Sequence, residues 1–244
     1  MNTFFTKSNQ IQNIIKSFNL TKSLFVSSII IGEANIGKKT LAKYIFPNAP
    51  IVSGDDQGLV EEMLKTYDEL IITDFQNLTN YTNLNFDNKR VIATANYISN
   101  PQRVDDMFAF IYNMPPLRER KDDTKYLKNI FIENSISLLM IEKNIINFTK
   151  LDLDLSNNSK SLQKSIFLYI LKYSLTQDEI ESIIYNYIST NLEGNDGYRE
   201  YLGIYEKPLI KAGLDKFGSQ LKLSNILGIN RNTLRKKIYE HNID

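Results

Sequence analysis

Leu24-Phe-Val-Ser-Ser-Ile-Ile-Ile-Gly-Glu-Ala-Asn-Ile-Gly-Lys-Lys-Thr-Leu-Ala42 sets an apolar run against a turn framed by two glycines. Residues 24–31 read as a buried strand and 40–46 as a helix. Between them Gly32, Glu33, Ala34, Asn35, Ile36, Gly37 and Lys38 carry the Gly-x4-Gly-Lys spacing of a phosphate-binding loop. The chemistry needs that layout: backbone N–H groups wrap a phosphate, the helix N-terminus adds partial positive charge, and the lysine reaches the outer phosphates. A glycine-bearing turn with an incidental lysine would share the spacing. The strand before and the helix after favour the phosphate loop.

Outward from that turn, helix and strand signals alternate. Residues 8–19 place Ile11, Ile14, Ile15 and Phe18 at helical spacing. After the loop come a short strand at 50–53, a helix at 58–67, and strands at 70–74, 90–94 and 108–114. Such alternation predicts an α/β fold, a parallel sheet covered by helices. Beyond Pro115-Pro116 only helices follow, at 124–142, 160–175 and 177–191. Leu151-Asp-Leu-Asp-Leu155 reads equally as a loop or a short pairing strand. Glu193-Gly-Asn-Asp-Gly197 is the clearest linker. The predicted organisation is an α/β subdomain over 1–116, a helical lid over 117–192 and an all-α domain over 198–244.

That last domain contains Gly218-Ser-Gln-Leu-Lys-Leu-Ser-Asn-Ile-Leu-Gly-Ile-Asn-Arg-Asn-Thr-Leu-Arg-Lys-Lys-Ile-Tyr239, two short helices joined at a glycine. Gly228 stands where a helix end favours a left-handed residue, and Asn230 can cap the next helix. Ile229 and Leu234 are spaced as a hydrophobic staple, while Leu234 and Ile238 share a face. Arg231, Asn232, Thr233, Arg235, Lys236 and Lys237 are thereby turned mostly to solvent. A major-groove reader needs such a helix: guanidiniums for guanine edges or phosphates, an amide for adenine. A merely solvated basic helix is the plainer alternative, and the glycine-joined, capped layout favours DNA.

Composition bounds the rest. The 244 residues are 42% hydrophobic and 23% charged, ordinary for a globular chain with one sizeable core and a smaller domain. Net charge is +1, yet residues 206–244 hold eight Lys and Arg against four Asp and Glu, leaving −3 for the remainder. A weakly acidic body with a basic end suits contact with DNA through one module. Without cysteine there are no disulfides or thiolate metal sites, and the single histidine, His241, cannot make a metal site by itself. No apolar run approaches a membrane span and no signal-peptide pattern opens the chain, so a cytoplasmic location without membrane contact is expected. Asp55-Asp56 and Asp105-Asp106 read as turn or helix-start residues rather than metal ligands. Tyr185, Tyr187, Tyr198, Tyr201 and Tyr205 read as packing of the linker region or of a dimer face rather than as base-stacking platforms.

Leu227-Gly-Ile-Asn-Arg-Asn-Thr-Leu-Arg-Lys-Lys237 closely resembles the helix-turn-helix of the Fis protein and of the NtrC-type activators that end in a Fis-like domain. Glu206-Lys-Pro-Leu-Ile210 resembles the start of the preceding helix in that family, with Pro208 at the tolerated first position. The loop, extended through Lys39 to Ala42, resembles the Walker A region of these sigma-54-dependent AAA+ ATPases. Pro115-Pro-Leu-Arg-Glu-Arg-Lys-Asp-Asp123 resembles the family's signature after its last strand. Ile92-Ala-Thr-Ala-Asn96 is similar to its sensor I strand, with Asn96 as the polar sensor. Asn158-Ser-Lys-Ser-Leu162 is similar to its sensor II segment, with Lys160 where an arginine is expected. The resemblance runs from about residue 8 to the C-terminus. It implies an abbreviated AAA+ P-loop sheet with a helical lid, followed by an all-α Fis-like domain. It also implies a nucleotide site at 32–39 with Asp74, Asn96 and Lys160, open to ATP or ADP and to Mg²⁺.

The departures matter as much. Asp74 sits where the family's Walker B aspartate holds Mg²⁺ through water, but the next residue, expected to be the water-activating glutamate, is Phe75. Phenylalanine accepts no proton, so general-base assistance of about 10²–10⁴-fold is missing. Asn35 replaces a glycine of the family's loop. Only 36 positions separate Lys38 from Asp74 and 16 separate Asp74 from Arg90, both short for the family, and no GAFTGA loop for gripping sigma-54 is present. The expectation is a DNA-binding transcription regulator with a degenerate ATPase body that does not remodel sigma-54 polymerase. Its partners would be double-stranded DNA, a second copy of itself, and RNA polymerase or another regulator. A working nucleotide hydrolase localised by its DNA-binding end, and a Fis-like architectural DNA-bending protein, are the alternatives.

Overall fold

The apolar run ahead of the glycine turn forms β1 (Ser28–Ile31), buried at every residue in a computed structural model that describes residues 4–21, 24–98 and 101–243. Ile29 and Ile31 join the cluster on one face of the sheet and Ile30 the cluster on the other, which explains an unbroken apolar run instead of an alternating one. α1 (Asn9–Leu20) buries Ile11, Ile14 and Phe18, and α2 (Lys38–Ile45) buries Leu41, Ala42 and Ile45, both in the Ile30 cluster. β2 (Ile51–Ser53), α3 (Gln57–Thr66), β3 (Glu69–Thr73), β4 (Arg90–Ala95), α4 (Pro101–Met107) and β5 (Phe110–Asn113) follow. The five strands are parallel in the order β2-β3-β4-β1-β5. β1 therefore lies between β4 and β5, and its C-terminal end opens beside the ends of β3 and β4. Asp56 caps α3 by accepting from the Leu59 N–H at 3.0 Å, a helix-start role.

α5 (Lys121–Leu139) and α6 (Asn158–Leu171) form the lid around Leu117, Ile132, Leu162, Ile166 and Ile170. Residues 151–155 have no regular structure; Leu151, Leu153 and Leu155 pack on that cluster as a loop. The 24–31 run is strand only over its last four residues.

The chain divides into two units, Met1–Ser174 and Leu175–Asp244. The helix expected in the lid at 177–191, α7 (Gln177–Asn191), thus groups with the C-terminal unit. A capping box starts it, the Thr176 hydroxyl accepting from the Glu179 N–H while the Glu179 carboxylate accepts from the Thr176 N–H. α8 (Gly197–Phe217), α9 (Gln220–Leu227) and α10 (Arg231–Glu240) complete the unit around Ile210, Leu223 and Leu234. Pro208 is not at a helix start: it lies inside α8, which begins eleven residues earlier at Gly197. The ring removes one internal hydrogen bond, and the rest of a 21-residue helix carries the segment through. A Cβ on Gly213 would come 2.3 Å from Leu223 Cδ1, so only glycine lets α8 and α9 approach this closely.

Candidate nucleic-acid interface and phosphate-binding loop

The loop between β1 and α2 is shaped by steric necessity first. A Cβ on Gly32 would sit 2.4 Å from the Met114 carbonyl oxygen, so the strand end admits no side chain there. Ile36 turns into the core at 3% exposure. Gly37 offers α2 no side-chain cap, which leaves the first-turn N–H groups for an anion. The cleft beside them holds about 330 Å³ and is lined by Ala34, Asn35, Lys38, Lys39, Asp74 and Asn96, among others.

Lys38 is the central cation. Its ammonium donates to the carbonyls of Gly32 (2.7 Å) and Glu33 (2.6 Å) and to Asn96 Oδ1 (2.9 Å), using all three protons. Burial lowers its pKa to about 8, against the opposing fields of Asp74 and Glu33. Asp74 follows β3 in the left-handed region at φ 54°. The ends of β1, β3 and β4 thus bring together Lys38, Asp74 and Asn96. Phe75 goes elsewhere: at 2% exposure it lies in the core, its ring 5.1 Å from that of Phe108 and 5.6 Å from that of Tyr81. The position itself, and not only the residue, points away from the cleft.

The outer side of the loop is tied to the lid. Asn158, 1% exposed at φ 52°, donates to Glu33 Oε2 and to the Ala34 carbonyl, each at 3.0 Å, and accepts from the Leu117 N–H at 2.9 Å. Ser159 donates to the Asn35 carbonyl through its N–H (3.2 Å) and its hydroxyl (2.7 Å). Arg120 Nη2 donates to the Ile36 carbonyl at 2.7 Å. Arg118 grips Glu33 with two bonds of 2.8 and 2.5 Å, and chiefly for that reason the Glu33 carboxyl falls to about pKa 2. Asn35 adopts φ 60°, a backbone that asparagine tolerates better than most residues, so it can replace a glycine. Lys160, expected at the nucleotide, is exposed and outside the cleft lining; its neighbours Asn158 and Ser159 make the loop contacts. Those two and Arg118 and Arg120 were within stretches the sequence singled out, but their partners lie 84 to 125 residues away. Together, an uncapped helix N-terminus, two lysines and Asn96 fit a polyphosphate, with Asp74 beside them suited to a cation.

In the C-terminal unit Gly228 closes α9 at φ 64°, and the Ile229 N–H donates back to the Ser224 carbonyl at 3.1 Å. Asn230 caps α10 by accepting from the Asn232 N–H at 2.8 Å. Leu234 is fully buried, with Ile229 and Ile238 packed on the same cluster. Arg231, Asn232, Thr233, Arg235 and Lys236 are exposed, as expected. Lys237 is the exception. It is paired with Glu206 on α8 and only 27% exposed at its side chain, so it is not turned to solvent. Among the described residues no three His, Asp or Glu side chains cluster to hold a metal, and no helix is long and apolar enough to cross a membrane.

A parallel P-loop sheet with a helical lid, followed by a helix-turn-helix unit, defines an abbreviated AAA+ fold carrying an all-α Fis-like domain. The full chain superposes on NtrX from Brucella abortus in its complex with ADP, with a TM-score of 0.54, 13% identity, and coverage of 100% of this chain and 70% of that one. A second NtrX structure from the same organism gives a TM-score of 0.50 at 14% identity, over 98% of this chain and 69% of that one. At such identity it is the fold that is shared. Residues 202–241 match the bacterial regulatory proteins of the Fis family. A protein of Pseudomonas aeruginosa described as Fis-like and DNA-binding is 37% identical over 71 residues, 28% of this chain and 67% of that protein. The chain belongs to the Fis family through this C-terminal region.

Proposed function

We propose that this chain is a sequence-specific DNA-binding transcription regulator that reads duplex DNA as a homodimer, while its AAA+ body binds ATP or ADP without turning it over. The observation that carries the reading is the capped, braced α10, which presents Arg231, Asn232, Thr233, Arg235 and Lys236 on one exposed surface. Guanidinium and amide groups there match guanine and adenine edges, and the same cations match phosphates. The homodimer is supported by α7, which has no buried residue and exposes Ile180, Ile183, Tyr185 and Tyr187. An apolar groove of about 380 Å³ between α7 and α8, lined by Ile184, Ile188, Leu192, Tyr198, Tyr201 and Tyr205, continues that surface.

In the body, Lys38, Lys39 and the first-turn N–H groups of α2 would hold the phosphates, Asp74 a Mg²⁺ through water, and Asn96 the outer phosphate. A bound nucleotide would supply negative charge that competes with the loop carbonyls for Lys38. No carboxylate stands at position 75 to activate water. Only Tyr67 and Asp68 lie between α3 and β3, which leaves no room there for a loop to grip sigma-54, so the body serves as a scaffold or nucleotide-sensing switch. RNA polymerase or a second regulator is the partner class such a body would address.

Footprinting on chromosomal fragments tests the reading. The expected pattern is protection at discrete sites, each of two half-sites about one helical turn apart. Broad, sequence-tolerant coverage would replace it with an architectural role.

A further inference from the structure

Glu206 is the anionic centre of the C-terminal unit, and both of its oxygens are taken. Oε1 accepts from the Lys237 ammonium, and Oε2 lies 3.1 Å from His241 Nε2. The three side chains are 16%, 27% and 18% exposed, so the cluster joins α8 to the end of α10 largely out of water. His241 rests on the α8 backbone, where a Cβ on Gly203 would come within 3.4 Å of its Cε1. Lys236, one residue earlier, differs: its side chain is 77% exposed and its pair with Glu240 spans 3.7 Å. An exposed pair of that kind opens at little cost, whereas removing one partner of a half-buried pair leaves a charge uncompensated.

We propose that Glu206 is a positioning residue that withholds Lys237 from the DNA backbone, so that the phosphate contacts of α10 come from Arg231, Arg235 and Lys236. The proposal rests on the DNA-binding reading above. Its physical content is a count. Each lysine or arginine that neutralises a phosphate releases counterion, so the salt dependence of binding measures how many cations touch DNA.

The test uses the full chain and a fluorescently labelled mixed-sequence duplex of about 30 base pairs, on which binding is driven by phosphates and each contact adds about 0.9 to the slope of log K against log salt. Lys237→Gln should leave the slope of the wild type unchanged. Glu206→Gln should bind more tightly, with a slope steeper by about 0.9, and the double variant should return to the wild-type slope. Circular dichroism of each variant establishes that the helices are intact. Should Glu206→Gln lose its helices, Lys237→Gln decides alone. A slope reduced by about 0.9 in Lys237→Gln means that the lysine already contacts phosphate, which overturns the clasp while leaving DNA binding intact. An unchanged slope in folded Glu206→Gln overturns it equally. Failure of the wild type to bind the duplex would instead remove the DNA reading and this proposal with it.

Discussion

Replacing Phe75 by glutamate would restore the residue type with which AAA+ ATPases activate water, yet it should restore no hydrolysis. The side chain at this position is 2% exposed and packed between the rings of Tyr81 and Phe108, so a carboxylate there would enter the core and not the cleft. Removing a buried phenylalanine ring costs about 3–5 kcal/mol. Glutamate keeps part of the aliphatic volume but adds a carboxyl to an apolar cluster, which costs further and drives its pKa upward. The expected loss is about 3–6 kcal/mol, comparable with the whole stability of many domains. Urea unfolding followed through the 14 tyrosines, with no tryptophan to interfere, reads the stability, and steady-state ATP turnover reads the chemistry. A Phe75→Glu variant within about 1 kcal/mol of wild type and turning over ATP tenfold faster would refute the geometry argued for β3 and its following turn.

The Gly213→Ala variant forces a methyl group into Leu223, 2.3 Å from Cδ1, and should destabilise the C-terminal unit by about 1–3 kcal/mol in thermal melts. Glu206 has a folded-state pKa below that of a free carboxylate, chiefly through Lys237. Its contribution is therefore complete above the unfolded value and lost as pH falls through the folded one, so acid unfolding of the unit should lose this component in Glu206→Gln. Lys38, lowered to about 8 by burial, should titrate near pH 8 in side-chain NMR, and added ATP should shift that titration upward by placing phosphate beside the ammonium. No shift with nucleotide would speak against binding in this cleft.

Much of the fold is visible in local pattern. The unbroken apolar run of β1 and the glycine-framed turn determine one strand, one loop and one helix, and the cap at Asn230 with the staple of Ile229 and Leu234 determines the start of α10. Residues whose roles depend on distant partners are illegible in that way. Lys237 looks like its neighbour Lys236 until Glu206, 31 residues earlier, is brought beside it. Asn158 and Ser159 hold the phosphate loop from more than 120 residues away, whereas Lys160, the residue that resemblance favoured, stays outside. Pro208 misleads because a proline is most at home at a helix start, yet a long helix can absorb one lost bond. The length of α8 depends on what it packs against, and that is not written locally.

The most direct measurement is a fluorescence anisotropy titration of a footprinted operator duplex with wild type, Arg231→Ala and Arg235→Ala at modest salt. Tight binding by the wild type, weakened by about 1–3 kcal/mol in each variant, or about 5- to 150-fold, is the expected result. Equal affinity in all three, or no binding by the wild type, would contradict the assignment of α10 as the element that reads DNA.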